Sequence, residues 1–501
     1  MNPRVVAAIA FVVSRLIYRV VFEVRLDSSP VHYFLQFLDP WYLEHDLARS
    51  VLSLHHQAPL LNLALGVALK CFGRHAYVAL DVGFIALGLW GTVSLADVFT
   101  RLGLKPIVAA LGAGLLACSP TTVVYESWLF YPHVVASLLI VAASLLLAWV
   151  EVPTVLRGLG FFSVLAAIGL TRSTFGPLWF AVVAGALLLL APAPRRVIAK
   201  AAALPLALLL LHAAKTPLYV GHGYGEAMLW PNLAKKIYVA LPRKEQRRIV
   251  RKKIVSQAMK FEAFTDLDGL TPVRVEHEPT GIPALDDAHA PTGRANSNAL
   301  EYALIAERYY KPDALILVKK YPKEYATATL AALFSLPQVA TVDSTLPRSP
   351  NLKKLSAAND AVLWLALSPK GGFSPVVFGG LLLALGTCGA SLVGKRARRE
   401  PGRRALAAFA LLTMLYTTAV CVLVSWGDFP RYRYEVDGLY WIFTVLGASL
   451  IVGHIARWQG GGCFSRLSPQ RRRIFSAEGA EKETQRAQRI LGLGSSKSLG
   501  R

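Results

Sequence analysis

The stretch HVVASLLIVAASLLLAWV, residues 133–150, carries no Asp, Glu, Lys or Arg along its whole length. That length is close to the roughly 20 apolar residues that a helix needs to cross the hydrocarbon core of a bilayer. Comparable apolar runs recur on both sides of it, so the sequence predicts an all-α polytopic membrane protein with about ten transmembrane helices. The ten predicted spans are 5–22, 76–98, 106–124, 133–150, 157–171, 174–192, 196–214, 373–394, 404–426 and 437–455.

The overall composition agrees with a membrane protein and excludes several other classes. Of 501 residues, 54% are hydrophobic and only 17% are charged, which is too apolar for a soluble enzyme and too varied for a disordered chain. The net charge of +23 does not indicate a nucleic-acid partner, because the basic residues lie largely in short loops between spans and in the tail. The five cysteines form no CxxC pair, so neither a disulfide framework nor a cysteine metal site is predicted.

The positions of Lys and Arg between the spans predict which helix ends face the cytoplasm. Basic residues collect on the side of the N-terminus, above all in the cluster 395–404 and the tail, so this side is predicted to be cytoplasmic. The opposite side, facing the periplasm or exterior of a bacterial cytoplasmic membrane, then receives the loop 23–75 and the region 215–372. The first span carries Arg15 and Arg19 and lacks a small-residue cleavage site, so we expect it to be retained as a helix.

The middle of the chain differs in composition from the spans around it. Glycine and proline punctuation there predicts a small subdomain of mixed structure, and the apolar run 325–342 is interpreted as a re-entrant helix, alone or paired with 361–367. Residues 243–252 predict a strongly basic helix, which is either a solvated face or a surface that touches lipid or glycan phosphates. The predicted regions are an N-terminal transmembrane module 1–214, an extracytoplasmic region 215–372, C-terminal transmembrane helices 373–456 and a disordered basic cytoplasmic tail 457–501.

Residues that could carry chemistry begin in the first outer loop, where Asp39, Glu44 and Asp46 lie close together in sequence. Carboxylates beside a bilayer can deprotonate a hydroxyl group or hold a divalent cation, because partial desolvation raises their basicity. Asp39 is followed by Pro40, a pattern that also predicts a helix start with Asp39 as its cap. The two roles are compatible, and a requirement for a divalent cation stays open.

Two further groups of polar residues are predicted on the same side. His55, His56 and Gln57 precede a short apolar segment, where they would contact a phosphate, orient a sugar or form a polar collar at a helix start. Two adjacent histidines with no third ligand at a fixed spacing predict no metal site. Glu126 follows the third span within an aromatic belt, and is interpreted either as a second acid that positions the acceptor or a cation, or as a glutamate reaching the membrane surface.

Arginines complete the set of candidate residues. Arg172 separates two apolar stretches with almost no loop, so it must be paired or face a polar cavity, because a charge left in hydrocarbon costs on the order of a few kcal/mol. Its planar guanidinium suits a lipid phosphate, the alternative being that it extends to the membrane surface. Arg431 and Arg433 lie in the link before the last span, so acids and guanidinium groups from separate loops are predicted to converge on the outer side.

The order of these motifs resembles the GT-C glycosyltransferases, polytopic enzymes that take a sugar from a polyprenyl-phosphate carrier. The similarity is greatest to the bacterial branch related to the protein mannosyltransferase and lipid A aminoarabinose transferase families. The similar motifs are Asp39 with Tyr42, HHQAPLLNLALGVALKCFG at 55–73, SPTTVVYE at 119–126, LTR at 170–172 and PRYRYEV at 430–436.

The resemblance implies a role for each candidate residue. Asp39 would be the catalytic base that activates the acceptor, and Arg172 with Arg431 or Arg433 would neutralise the carrier phosphate as it leaves. Glu126 would be a second functional acid. The residues implied in binding substrate are Tyr42, Glu44, Asp46, His55, His56 and Gln57.

The resemblance also implies the reaction and its partners. The donor would be a polyprenyl-phosphate sugar in contact with membrane lipids, and the acceptor a glycan, a lipid or a protein, with inversion at the sugar carbon. Two alternatives come from other classes: a catalytically silent relative that binds lipid or scaffolds an envelope complex, and a secondary transporter. The transporter is disfavoured because the predicted span interiors are nearly uncharged and no internal repeat is found.

Overall fold

The computed structural model describes residues 1–464 except 222, 224, 263–264, 340–349, 356, 358–373, 395–399 and 428. The chain divides into two units, Met1–Leu446 and Gly447–Arg501. In the second unit the described residues are helical. The site and surfaces considered below all belong to the first unit.

The described residues are helical with connecting turns and contain no strand, apart from two isolated bridges at Asp27–Trp128 and His289–Ala295. The helices before the middle region are α1 (Pro3–Val20), α2 (Pro30–Tyr33), α3 (Pro40–His45), α4 (Leu47–Leu52), α5 (Leu60–Phe72), α6 (Ala76–Arg101), α7 (Pro106–Cys118), α8 (Pro120–Glu126), α9 (Tyr131–Glu151), α10 (Val155–Thr171), α11 (Pro177–Leu190) and α12 (Arg195–Val220). Those that follow are α13 (Glu226–Ala240), α14 (Arg243–Arg251), α15 (Pro283–Asp286), α16 (Leu300–Ile305), α17 (Lys311–Lys320), α18 (Pro322–Ser335), α19 (Pro375–Val393), α20 (Pro401–Val424) and α21 (Phe429–Phe464). Short 3-10 or π turns occupy Gly73–His75, Ser173–Phe175, Gln257–Lys260, Leu267–Val273 and Ala306–Tyr310, and residues 350–355 are also helical.

The all-α membrane architecture predicted from the sequence is present, although ten spans are not confirmed. A helix overlaps each predicted span, but six are long and apolar enough to cross a membrane, or seven if the bent pair α7 and α8 is one span. The others fall short for visible reasons: α1 carries three arginines, and α10 and α11 have only 17 and 14 residues. The six helices are Leu60–Arg101, Tyr131–Glu151, Arg195–Leu218, Pro375–Val393, Pro401–Val424 and Phe429–Ala456.

Helix α9, the most apolar of the six helices that could cross a membrane, lies at the centre of the bundle. Within the part of each helix that could span a membrane, 83% of α9 is buried, against 22% of α19. It packs against α6, α10 and α20. Pro132 lies in its first turn, where the missing N–H is not needed for an internal helical bond.

Ion pairs identify one end of the bundle. Asp97 near the end of α6 accepts hydrogen bonds from Arg4 and, at 2.7 Å, from Arg101. Arg101 also pairs with Glu151 at the end of α9. We call this the Arg4 end. The opposite end, which we call the Arg172 end, contains the first turns of α3 and α9 and the last turn of α10. These are the ends that the sequence predicts to be inside and outside, respectively.

The middle region packs as a group of helices at the Arg172 end. Helix α13 contacts α16, α17 and α18 around a core that includes Ile237, Ile249 and Leu317. Lys236 of α13 donates hydrogen bonds to the carbonyls of Val422 and Ser425, where α20 ends. A positive charge at this position also complements the partial negative charge of a helix C-terminus. Where the sequence predicted mixed structure, the described residues form helices and turns.

Several predicted features fall partly outside the described residues. The predicted re-entrant segment 325–342 begins within α18, but its last three residues lie outside, as does its companion 361–367. Most of the basic cluster 395–404 and the tail beyond Phe464 also lie outside the described residues. These remain predictions.

Candidate active site

Asp39 occupies the predicted helix-capping position and is also held by a distant part of the chain. Its Oδ1 accepts a hydrogen bond of 2.9 Å from the backbone N–H of Trp41, which caps α3. Its Oδ2 accepts a hydrogen bond of 2.6 Å from the hydroxyl of Thr292. The residue is only 6% exposed, so its carboxyl group has a fixed orientation in a nearly enclosed setting.

Arg294, two residues beyond Thr292, fastens the loop that leads to Asp39. Its guanidinium donates hydrogen bonds to the carbonyls of Val31, Phe34 and Phe37. Burial lowers the pKa of the Arg294 guanidinium, and the nearby Asp39 carboxylate opposes that change. Asp39 therefore lies beside a fixed positive charge that the sequence did not indicate.

The segment 287–298 makes further contacts with the first loop. The Tyr42 hydroxyl donates a hydrogen bond of 3.1 Å to Asp287; burial raises the pKa of Tyr42, and the carboxylates of Asp287 and Asp39 raise it further. The His55 ring lies 2.9 Å from the carbonyl of Asn298, and His55 in turn packs against His56 with ring centres 3.9 Å apart. Both histidines are buried. Because His55 contacts Asn298, the two rings lie at the junction between the first loop and the segment 287–298.

The other predicted residues of this loop are more peripheral. Glu44 and Asp46 are exposed, and Gln57 is half-buried. Asp46 caps α4 through the backbone N–H of Arg49, at 3.4 Å. Lys70 contacts Glu44 at its backbone carbonyl. These two carboxylates therefore lie at the surface of the first outer loop.

Glu126 lies inside the bundle, paired with Arg15 of the first helix. The pair is bidentate, with Nε and Nη2 of Arg15 at 2.7 and 2.8 Å from the two carboxylate oxygens. His133 lies 3.9 Å from the same carboxylate. The sequence placed Glu126 in an aromatic belt at the membrane surface and did not predict the pair; the structure buries it, at 2% exposure, because its carboxylate is the counterion of an arginine inside a helix bundle.

A small cavity adjoins this buried pair. Its volume is about 40 Å³, enough for a few water molecules but not for a sugar. Polar groups of His133, Ser137 and Asp437 contribute to its lining. Glu126 therefore lies in the interior of the bundle, next to His133 of this cavity.

Arg172 lies at the end of α10 between two aromatic rings. Its guanidinium carbon is 4.2 Å from the ring centre of Tyr131 and 4.3 Å from that of Tyr432. The Nη1 group donates to Glu435, and Nε donates to the Thr174 hydroxyl at 3.3 Å. The predicted need for a partner is met by Glu435, a residue of α21 that the sequence did not single out.

Arg431 joins Arg172 at the same rings. Its guanidinium carbon lies 5.8 Å from the Tyr131 ring centre and 6.0 Å from that of Tyr432, and Glu435 interacts electrostatically with both arginines. We call Arg172, Arg431, Glu435, Tyr131 and Tyr432 the arginine cluster. A cluster of this kind, with two guanidinium groups among aromatic faces, is suited to hold a phosphate.

Arg433 points elsewhere. It pairs with Asp437 at 3.0 Å and donates to the carbonyls of Leu336 and Gln338, just beyond α18. Its guanidinium is thus engaged in holding the chain that follows α18. Of the two arginines left open by the sequence, Arg431 is the one that shares rings with Arg172.

An aromatic wall connects the Asp39 loop to the arginine cluster. The ring of Phe34 stacks on Phe130 with centres 4.6 Å apart, and Phe130 lies 4.0 Å from Tyr131 of the cluster. Phe37, two residues before Asp39, lies 6.1 Å from the same Phe130 ring. The rings of Phe34, Phe130 and Tyr131 thus link the loop that precedes Asp39 to the arginine cluster. Glu126 instead pairs with Arg15 inside the bundle.

No protein-family model, no characterised protein and no solved structure matches this chain. Within the described residues, no group of three His, Cys, Asp or Glu side chains is arranged to hold a metal ion. What the described residues do provide is a fixed carboxylate and two guanidinium groups at one end of the bundle.

Proposed function

We propose that the protein is a membrane glycosyltransferase that transfers a sugar from a polyprenyl-phosphate donor to an acceptor lipid, glycan or protein. The Arg172 end would face the periplasm or exterior of a bacterial inner membrane. The observation that supports this most is the arginine cluster, joined through Phe130 and Phe34 to the loop that holds Asp39. The resemblance of the motifs to GT-C enzymes points in the same direction.

The arginine cluster would receive the donor phosphate. A guanidinium group presents paired N–H donors in a plane that matches phosphate oxygens, and its charge counts for more where water is excluded. Tyr131 and Tyr432 fix the plane of the Arg172 guanidinium before any ligand arrives. Such preorganisation lets the cluster stabilise charge as it develops on the leaving phosphate.

Asp39 would act as the general base. Each of its oxygens accepts one hydrogen bond, which leaves a second lone pair on each for the acceptor hydroxyl or amine. The acceptor atom bonds to the anomeric carbon while the bond from that carbon to the phosphate oxygen breaks. The proton passes to Asp39 and the electron pair leaves with the phosphate, so the configuration at carbon inverts.

The test compares wild-type protein with Asp39→Asn in membranes given a labelled polyprenyl-phosphate sugar, scoring loss of sugar from the carrier. Asparagine keeps the oxygen that caps α3, so the fold is retained while the base is removed. We expect turnover to fall by about 100-fold or more. Asp27→Asn is the matched control, because Asp27 accepts a backbone N–H two residues ahead in the same way but is not a proposed site residue. Equal turnover in Asp39→Asn and wild type would remove Asp39 from the mechanism.

A secondary transporter is the second candidate, favoured by one observation. The Arg15 and Glu126 pair, with His133 and the cavity beside it, places ionisable groups inside the bundle, as transport pathways do. The two functions give different results in detergent micelles, where there are no separate compartments for transport. A glycosyltransferase cleaves the donor there, whereas a transporter leaves the donor chemically unchanged.

A further inference from the structure

The first helix after α13 is unusually basic. Seven of the eleven residues 243–253 are Lys or Arg, and every one of the seven is exposed. Three more exposed lysines occur at 319–323, where α17 ends and α18 begins. We call these ten side chains the basic surface: Arg243, Lys244, Arg247, Arg248, Arg251, Lys252, Lys253, Lys319, Lys320 and Lys323.

The two parts of the basic surface are adjacent in space. The Tyr321 hydroxyl donates a hydrogen bond to Glu245 of α14, and Lys320 acts electrostatically on the same carboxylate. Glu245 is the only acid within 243–253 and 319–323, and it is bound bidentately by Arg248. One carboxylate among ten cations leaves a strong excess of positive charge on this surface.

Contacts with the bundle place the basic surface near the end of a membrane span. The Tyr325 hydroxyl, two residues after Lys323, donates a hydrogen bond of 3.0 Å to the carbonyl of Leu423 in the last turn of α20. Lys236 reaches Ser425 at the same helix end. Because α20 is apolar enough to cross a bilayer, its last turn lies close to the level of the lipid headgroups.

Apolar side chains accompany the cations. Leu315 is 56% exposed and Ile316 is 38% exposed, and each lies four residues before a lysine of the basic surface on the same helix. Residues four apart share one face of a helix, so Leu315 sits beside Lys319 and Ile316 beside Lys320. Exposed apolar groups next to cations are the pattern of a surface that lies on a membrane, and are not needed by one that binds a soluble polyanion.

We propose that the basic surface binds the phosphate headgroups of anionic phospholipids in the leaflet at the Arg172 end. The cations meet the headgroups, and Leu315 and Ile316 enter the boundary between headgroups and acyl chains. This proposal does not depend on the glycosyltransferase proposal, since the basic surface contains no residue of the arginine cluster or the Asp39 loop. Lipid binding gives a role to a basic surface on the side that the sequence predicts to be outside.

The test is amide hydrogen exchange of the full-length protein in nanodiscs of phosphatidylcholine, with or without phosphatidylglycerol. We expect exchange over 243–253 to slow by at least about fivefold when phosphatidylglycerol is present, because one Lys or Arg near an anionic surface contributes roughly that factor. The slowing is expected to disappear in high salt, which screens exposed charges. The variant R247Q/R251Q/K252Q is expected to show a smaller slowing than the wild type, because it removes three of the ten cations.

The matched control is R247K/R251K/K252R, which keeps the charge and is expected to keep the slowing. Unchanged exchange over α9 in every variant shows that the fold is intact. The proposal is overturned if 243–253 exchanges equally in both discs for the wild type, or if the glutamine variant is slowed as much as the wild type. It is also overturned if soluble glycerol phosphate or an anionic polysaccharide produces the same slowing in phosphatidylcholine discs, since the partner would then be a soluble anion.

Discussion

Arg15 and Arg172 are both 5% exposed, and each is paired with a buried glutamate, yet their surroundings differ. Arg15 directs Nε and Nη2 to Glu126, and Nη1 to the Ser14 hydroxyl and a backbone carbonyl. Arg172 directs only Nε and Nη1 to described partners, and both faces of its guanidinium are covered by tyrosine rings. The Arg15 guanidinium therefore makes four hydrogen bonds to described protein groups, and the Arg172 guanidinium makes two.

The difference separates a structural ion pair from a candidate binding site. A buried charge whose donors are all satisfied within the protein has little capacity left for a ligand. Arg172 has a second arginine beside it, and within the described residues its Nη2 group makes no hydrogen bond. The Arg172 guanidinium therefore keeps more donors for an anion than the Arg15 guanidinium does.

The largest effect is expected from Glu126→Gln. This change leaves the buried Arg15 charge without a counterion, which costs about 3–5 kcal/mol of unfolding free energy. Thermal unfolding in detergent measures it. The double variant R15L/E126L is expected to recover most of the loss, because it removes both charges together. A loss below about 1 kcal/mol in the single variant would contradict the structural role and leave Glu126 as a second acid.

A smaller loss of stability, with a large loss of activity, is expected from Arg172→Lys. Lysine keeps a positive charge opposite Glu435 but cannot stack between Tyr131 and Tyr432 or present a planar pair of donors. Donor cleavage is expected to fall about 100-fold, while unfolding changes less than in Glu126→Gln. Arg157→Lys is the matched control, because within the described residues that exposed side chain donates its one hydrogen bond to a carbonyl of α9. If Arg172→Lys lost stability without losing turnover, Arg172 would be a second structural pair.

The helices could be predicted from the sequence because apolar length is a local property. The apolar composition of residues 133–150 predicts α9, and the Asp39–Pro40 pair predicts the start of α3. Whether a helix is able to span the membrane also depends on its charged residues and on where the helix begins and ends. Three arginines in α1 and the shortness of α10 and α11 separate these helices from the six clear spans.

The partners of the candidate residues could not be predicted, because they are distant in sequence. Glu435 follows Arg172 by 263 positions, and Thr292 follows Asp39 by 253. An arginine inside an apolar span requires a polar partner, but nothing local in the sequence identified Glu126 as the partner of Arg15. Gly88 shows the same limit: a Cβ there would collide with Glu126, a requirement visible only once α6 and α8 are packed together.

The smallest effect is expected at the opposite end of the bundle, from Arg4→Gln. The Arg4 side chain is 47% exposed, and its partner Asp97 keeps hydrogen bonds from Arg101 at 2.7 Å and Ser144 at 2.6 Å. Because water solvates the exposed guanidinium and Asp97 stays paired, the loss is expected to be about 1 kcal/mol or less, and smaller still in high salt. Thermal unfolding of Arg4→Gln and Glu126→Gln in the same detergent at two salt concentrations measures the contrast. Equal losses would mean that burial does not set the strength of these ion pairs. The difference between Arg15 and Arg172 would then need a cause other than the number of hydrogen bonds that each buried guanidinium makes.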